Sequence, residues 1–188
     1  IDAAKVFDAV PLERDVDGIR YASWGSKFLP AAAAAVLELM KAHNVEVRGR
    51  HVLVVGRSPI VGAPTAHALR EMGAMVTVAH ADVDQGTLKD MVGKADVVVT
   101  CAGSPGLIHA SWLKEGSDVI NVGTTFCEES DGLLSDVEGD IGGSKAKRYS
   151  PVPGGVGPLS VPMLFRNVTK AAWDRMEEEG GSEGSSSW

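Results

Sequence analysis

The residues best suited to bind a ligand form a glycine-containing segment between a predicted strand and a predicted helix. It reads Val54-Val55-Gly56-Arg57-Ser58-Pro59-Ile60-Val61-Gly62. Main-chain amides after Gly56 and the amino terminus of the next helix would face a pyrophosphate, which predicts a dinucleotide loop. Ser58 stands where G-x-G-x-x-G has its second glycine, and the Gly-Lys-Ser/Thr end of a triphosphate-binding loop is missing. By its spacing alone, the loop is only a weak signal.

Short apolar strands alternate with helices on both sides of this loop. Strands are predicted at 51–55, 75–79, 96–100 and 118–122, helices at 65–72 and 85–92, a helical turn at 111–114, and a weak hairpin at Leu133 and Leu134. Such alternation is typical of parallel strands joined by crossover helices. We therefore predict an α/β fold of the Rossmann-like, doubly wound type, with a mainly parallel sheet and helices on both faces.

The chain divides into three predicted parts. Residues 1–49 form a lead-in segment, irregular over 1–29, followed by a helix at 30–44. Residues 50–176 form the Rossmann domain. Within it, prolines and glycines exclude regular structure at 151–158, and Ser160 is predicted to cap a last helix that runs to about residue 176. Residues 177–188 are rich in Glu, Gly and Ser, which predicts a flexible tail.

Composition excludes several classes of function. The 188 residues carry a net charge of −7 without a basic stripe, which argues against nucleic acid as a partner, and no apolar run predicts a membrane span. Two cysteines and five scattered histidines predict no metal site and no disulfide framework. The first residue is Ile, so we expect a processed or truncated intracellular protein. Its compartment stays open, an organelle after removal of a targeting peptide being one alternative.

Several strings taken together are more specific than the loop alone. They lie at 55–64, 76–80, 95–99, 103–106, 119–123 and, as Pro-Val-Pro-Gly-Gly-Val-Gly-Pro, at 151–158. Over roughly residues 5–175 the chain resembles the methylenetetrahydrofolate dehydrogenase/cyclohydrolase family, and the proline-glycine string is the most specific part of the match. The resemblance implies an NADP or NAD cofactor, a tetrahydrofolate substrate, and a homodimer through an exposed strand edge. A subunit of a larger protein complex is the alternative assembly.

The resemblance also assigns site residues. It implies contacts to the cofactor pyrophosphate and ribose from Gly56, Arg57, Ser58, Ile60 and Val61, and contacts along the nicotinamide from Cys101, Ala102, Gly103 and Thr124. It places Gly155, Val156, Gly157 and Pro158 in a cleft shared with the folate, and Asp17 at the pterin. Ala81 and Asp82 stand where the family tends to have serine and a basic residue. Arg57 therefore favours a 2′-phosphate and Asp82 a free ribose hydroxyl.

Two departures from the family bear on activity. The family carries an amino-terminal catalytic domain with a tyrosine and lysine pair, and these 188 residues begin after it. Where the family has a Thr-Pro-x-Gly motif, the chain has alanines at 31–35. We therefore assign no catalytic residue. The favoured hypothesis is a catalytically impaired, nucleotide-binding or structural subunit, and the alternative is part of an enzyme that oxidises 5,10-methylenetetrahydrofolate with NAD(P)+.

Overall fold

A five-stranded parallel sheet forms the centre of the molecule. The computed structural model describes residues 2–21, 25–129 and 131–182. The central strands are β1 (His51–Val55), β2 (Met75–Ala79), β3 (Val97–Thr100), β5 (Asp118–Asn121) and β9 (Arg148–Tyr149), in the spatial order β2-β1-β3-β5-β9. In register, Val55 lies opposite both Ala79 and Thr100, and Thr100 lies opposite Asn121. Four strands therefore end at one edge of the sheet.

Helices cover both faces of the sheet. They are α1 (Ala3–Asp8), α2 (Ala31–Ala42), α3 (Gly62–Glu71), α4 (Gln85–Lys94) and α5 (Gly157–Ser182), with 3-10 turns at Leu12–Arg14 and Ala110–Trp112. Alternate residues of β1 point to opposite faces, as the two-residue period of a strand requires. Val52 and Val54 pack with α2 and α3, whereas Leu53 and Val55 pack with α4. The predicted doubly wound α/β fold is confirmed.

Four short strands lie outside the central sheet. β4 (Ile108–His109) pairs in parallel with β8 (Val137–Glu138). β6 (Thr124–Cys127) and β7 (Gly132–Ser135) form an antiparallel hairpin, in which Thr125 lies opposite Leu134 and Phe126 opposite Leu133. The weak hairpin predicted at these two leucines is therefore present.

Several predicted boundaries were wrong. The lead-in is not irregular throughout, because α1 and a 3-10 turn lie within it. Helix α3 begins three residues before the predicted 65–72, at Gly62. Helix α5 begins at Gly157, so the end of 151–158 is helical; proline suits a first helical turn because its missing amide has no partner there. Ser160 is consequently not the cap, and residues 177–182 of the predicted flexible tail continue the helix; 183–188 lie outside the described residues.

The alanine run of α2 has a packing role. Ala33, Ala34 and Ala35 are almost fully buried, with exposed fractions of 0–2%. Helix α2 packs against α5, and Leu159 and Met163 of α5 lie against the same core cluster. Small side chains allow two helices to approach closely. The run therefore supports the fold, whatever its effect on substrate binding.

Candidate cofactor-binding site

The crevice lies where the strand order changes direction. From β1, the second strand of the sheet, the chain proceeds to β2 on one side and then to β3 on the other. Gly56 follows β1 and donates its amide to Ala79 O at 2.8 Å, while Cys101 follows β3 and donates to Val55 O at 2.8 Å. The two loops therefore leave the sheet side by side. In open parallel sheets this switch point, at the carboxyl ends of the strands, is where ligands bind.

Two glycines of the predicted loop are required by close backbone contacts. A Cβ on Gly56, whose φ is +137°, would lie 2.5 Å from Cys101 O and 2.6 Å from its Sγ. A Cβ on Gly62 would lie 2.2 Å from Gly56 O. Side chains at these positions would fill the space in front of the α3 amino terminus. The residues present therefore fit a dinucleotide, which needs an open backbone cradle at a helix amino terminus.

The Ser58 side chain binds the amides at the start of helix α3, whose N-cap residue is Val61. Its Oγ accepts hydrogen bonds from Val61 N at 3.1 Å and Gly62 N at 3.3 Å, and its carbonyl accepts from Ala63 N at 3.0 Å. A serine therefore takes the place of the second glycine because its hydroxyl satisfies amides that the helix leaves unpaired. A pyrophosphate bound here would accept hydrogen bonds from loop amides that precede Val61, or it would displace the Ser58 hydroxyl from the amides of Val61 and Gly62. The neighbouring Ile60 is half exposed and could cover a bound ligand.

Arg57 and Asp82 meet across the ends of β1 and β2. Arg57 Nη2 lies 3.2 Å from Asp82 Oδ2, and both side chains are largely exposed, at 65% and 76%. Next to them, His80 Nδ1 is 3.4 Å from the same oxygen and is buried without a hydrogen-bond partner among the described residues. The two residues with opposite cofactor preferences thus form one ion pair, preceded by Ala81 in an exposed turn. Within this pair, the Asp82 carboxylate could accept a hydrogen bond from a ribose hydroxyl, and the Arg57 guanidinium could bind a phosphate.

The loop after β3 supplies the opposite wall. Burial, with a smaller effect of the Asp136 charge, raises the pKa of the Cys101 thiol to about 12. A thiol with this pKa is protonated at neutral pH and is a poor nucleophile. Cys101 is therefore part of the wall and does not act as a reactive group. Ala102 is half-buried and Gly103, with φ +62°, is exposed.

A buried hydrogen-bond network joins this loop to its neighbours. Asn121 Oδ1 accepts from Thr100 Oγ1 at 2.7 Å and from Ser135 Oγ at 3.0 Å, while its Nδ2 donates to Gly123 O at 2.8 Å. Ser150 Oγ accepts from Asn121 N at 2.8 Å. The network fixes the carboxyl ends of β3 and β5 against the loop after β9. Sequence reasoning missed these residues, although buried polar residues at strand ends are a signal that could have found them.

The remaining predicted residues follow β5 and β9. Thr124, exposed, opens β6 directly after Gly123. Gly155 is buried and donates its amide to Pro151 O at 2.9 Å; a Cβ on it would lie 2.6 Å from that oxygen. Val156 is also buried, whereas Gly157 and Pro158 are exposed in the first turn of α5. The predicted cofactor residues therefore lie along the sheet edge in strand order, and the proline-glycine loop lies at its β9 end.

Asp17 lies apart from the proline-glycine loop. The preceding Val16 carbonyl accepts from Asn167 Nδ2 at 2.9 Å, and Asn167 is about 15 Å along α5 from Gly157. Asp17 itself is exposed, while its neighbour Asp15 is buried and accepts from the amides of Ile19 and Arg20. The pterin role of Asp17 stays a prediction.

Residues 2–21, 25–129 and 131–182 contain no group of histidine, cysteine, aspartate or glutamate side chains arranged to hold a metal ion. Over the same ranges, no helix combines the length and apolarity required to cross a bilayer.

The fold and the site define a class of protein, and comparison with known proteins defines the family. A parallel sheet with a glycine cradle at its switch point makes this an NAD(P)-binding Rossmann domain. Residues 30–176 match the family model of the tetrahydrofolate dehydrogenase/cyclohydrolase NAD(P)-binding domain, and the chain belongs to this family. Its cofactor class, NADP or NAD, follows from that membership.

The relatives are longer than this chain. It is 41% identical over 173 residues to the bifunctional protein FolD of Nocardia farcinica, covering 89% of the chain and 60% of the relative. The NADP complex of Trypanosoma brucei methylenetetrahydrofolate dehydrogenase-cyclohydrolase superposes with a TM-score of 0.82 at 35% identity, covering 94% and 63%. The Bombyx mori 5,10-methylenetetrahydrofolate dehydrogenase gives 0.83 at 34%, covering 94% and 65%. The chain thus spans less than two thirds of each relative.

Proposed function

We propose that this chain binds NAD(P) in the crevice and that the 188 residues alone do not turn over 5,10-methylenetetrahydrofolate. They then serve as the nucleotide-binding part of a larger assembly. The observation that carries the nucleotide role is the cradle, in which a Cβ on Gly62 would lie 2.2 Å from Gly56 O. The loops at the carboxyl edge would hold the pyrophosphate, ribose and nicotinamide. A bound nicotinamide would accept a hydride, which no side chain of the protein can do.

The absence of lysine from the loops at the carboxyl edge supports the second half of the proposal. The loops at the carboxyl edge comprise residues 56–61, 80–84, 101–107, 122–123 and 150–156. They contain no lysine, and His80 is their only histidine. A general acid or base must come within hydrogen-bond reach of the atom it serves. The family's lysine chemistry would therefore have to come from residues beyond these loops.

An assay of methylenetetrahydrofolate oxidation tests this proposal. The 188-residue chain should show no NAD(P)H formation above the uncatalysed rate while still binding the cofactor. Addition of the separately expressed amino-terminal part of a FolD relative is the positive arm, because it would supply the missing groups. Turnover by the chain alone would contradict the proposal and favour the alternative, part of an active enzyme oxidising 5,10-methylenetetrahydrofolate.

An exposed apolar face on α5 supports a larger assembly. Val161, Phe165 and Val168 are exposed at 59%, 67% and 46%, and their spacing places them on one side of the helix. Trp173 and Met176 extend the apolar surface at 60% and 62%. Contiguous exposed apolar surface of this kind marks interaction sites. We assign this face to the partner part of the assembly, and Phe165→Ser should abolish complementation in the assay while leaving cofactor binding intact.

We propose that the homodimer forms through β2, the edge strand at the end of the sheet opposite β9. Strand β2 is an edge strand, and its Met75 and Val78 are exposed at 60% and 45%. An unpaired edge with apolar side chains can pair with a second copy. Sedimentation of the wild type as a dimer, and of Val78→Lys as a monomer, would agree with this interface; a monomeric wild type would refute it.

Asp82 is predicted to set the preference between NAD+ and NADP+. Its carboxylate would repel a 2′-phosphate beside Arg57, so Asp82→Asn should shift the ratio of the two dissociation constants about tenfold toward NADP+. Calorimetric titration with each cofactor measures the ratio. Asp90→Asn removes an exposed charge from α4 and should leave the ratio unchanged. An unaltered ratio in Asp82→Asn would show that the carboxylate does not face the ribose.

A further inference from the structure

Asp136 is a buried carboxylate beneath the loop that follows β3. Its exposed fraction is 1%, and it lies between β7 and β8. Oδ2 accepts from Ala102 N at 2.8 Å and Gly103 N at 3.3 Å, and Oδ1 accepts from Ser104 N at 2.9 Å. Three successive amides that converge on one anion form a nest of the kind that binds phosphates in other proteins. Here the protein fills the nest with its own side chain.

The charge is buried without a cation. In residues 2–21, 25–129 and 131–182, no lysine or arginine pairs with this carboxylate, in contrast to the other buried aspartate at a strand end, Asp118, which has two arginines. Burial raises the pKa of Asp136 although the three amides oppose the shift. A buried carboxylate without a cation is costly even when amides donate hydrogen bonds to it. The arrangement therefore calls for a role in addition to packing.

The hydrogen bonds fix which way the loop's carbonyl groups point. Peptide groups are planar and trans, so an amide directed at Asp136 places the preceding carbonyl in the opposite direction. The carbonyls of Cys101 and Ala102 are thereby turned away from the carboxylate. Cys101 O lies 2.5 Å from the position of a Cβ on Gly56, so this oxygen is directed at the dinucleotide loop. The carboxylate thus presents main-chain acceptors to the nicotinamide side of the site.

The same carboxylate also lies against the loop after β5. A Cβ on Gly123 would lie 1.9 Å from Asp136 Oδ2, so this glycine must lack a side chain for the carboxylate to reach the nest. Gly123 O in turn accepts from Asn121 Nδ2 at 2.8 Å. Asp136 therefore lies between the two loops that carry Cys101 to Gly103 and Thr124.

We propose that Asp136 is a positioning residue, which sets the nicotinamide end of the cofactor site by holding the amides of residues 102–104 inward. The proposal rests on the proposed function, because it concerns the geometry of the same site. It concerns only the nicotinamide end, since the ribose and pyrophosphate residues lie at β1 and β2. Asp136 has no contact with the reacting atoms in this role.

Comparing ligands with and without the nicotinamide tests this role. Asp136→Asn keeps the shape of the side chain but directs an NH2 group at a backbone N–H, which disrupts the nest. It should weaken NAD+ binding at least about tenfold, the size of effect expected when a hydrogen bond to a charged group is lost. Binding of ADP-ribose, which lacks the nicotinamide, should change less than about twofold. NADP+ and 2′-phospho-ADP-ribose, titrated in parallel, cover either cofactor preference. A structural defect alone would weaken each pair of ligands equally.

Two further variants complete the experiment. Gly123→Ala pushes the carboxylate from the other side and should give the same selective loss, whereas Asp90→Asn should change nothing. Equal losses for NAD+ and ADP-ribose, no loss, or unfolding of both the Asp136 and Gly123 variants would overturn the positioning role. If the wild type binds none of the four ligands, the proposed function itself is contradicted. That outcome differs from a wild type that binds and a variant that loses both ligands of a pair equally, which contradicts only the positioning role.

Discussion

Replacing Gly62 with alanine is expected to weaken NAD(P) binding by more than about a hundredfold, because a methyl group would occupy the cradle. Its Cβ would lie 2.2 Å from Gly56 O and 2.9 Å from Arg57 N, both backbone atoms that cannot rotate away. The φ of Gly62 is not in the left-handed region, so the cost is steric and is concentrated in the loop. Calorimetric titration with NAD+ and NADP+ measures the loss.

Gly93→Ala is the matched control for this substitution. Gly93 lies in α4, and a Cβ there would have only an ordinary contact, 3.5 Å from Trp112 O. Alanine should stabilise the helix by about 0.5–1 kcal/mol and leave cofactor binding unchanged. If Gly62→Ala binds as tightly as Gly93→Ala, the loop is not the pyrophosphate site.

Replacing Asp118 with asparagine is expected to lower the free energy of unfolding by about 2–4 kcal/mol, because two arginines would lose their partner. The Asp118 side chain is 1% exposed and pairs with Arg50 Nη1 at 2.9 Å and Arg148 Nε at 2.6 Å. These bonds join the start of β1 and β9 to β5. Since the arginines are about 30% exposed, the expected loss is below that of a fully buried pair. Urea unfolding measures it.

The pH dependence of the same variant has a definite sign. Burial would raise the pKa of Asp118, but the hydrogen bonds from Arg148 and Arg50 outweigh it and hold the pKa below its ordinary value. The stabilisation is therefore complete above the unfolded value of roughly 3.9 and is lost as pH falls through the folded pKa. The gap between wild type and Asp118→Asn should narrow below about pH 4, and should be absent throughout for Asp90→Asn. A gap that is constant down to pH 2 would contradict the ion-pair explanation.

Elements whose own residues form a clear apolar pattern were predictable from the sequence. The run His51–Val55 is predicted as a buried strand because four apolar residues follow the histidine and a glycine comes next, and it is β1. Boundaries that depend on hydrogen bonds within a loop were not predictable. Ser58 Oγ accepts from the Gly62 amide four residues later, and α3 begins at Gly62, three residues before the predicted start. Likewise α5 begins at Gly157, where proline-rich composition indicated a loop.

The site was predictable in part for a similar reason. Gly56 and Cys101 follow strands, and the sheet brings strand ends together, so local motifs were sufficient to place them. Asp136 could not be placed in this way. Asp136 reaches amides 32–34 residues earlier in the chain, and no local pattern marks such a contact. The ion pair of Arg57 with Asp82 spans 25 residues, so only the fold shows that the two oppose each other at one place.

Hydrogen-deuterium exchange with and without NAD+ or NADP+ most directly tests whether this crevice binds the cofactor. At least one of the two cofactors should slow exchange in the loops at 56–62 and 101–104, and in the turn at 80–82, while the amino-terminal ends of the same strands remain unchanged. Slowed exchange confined to other surfaces, or no change with either cofactor, would contradict the assignment of the site.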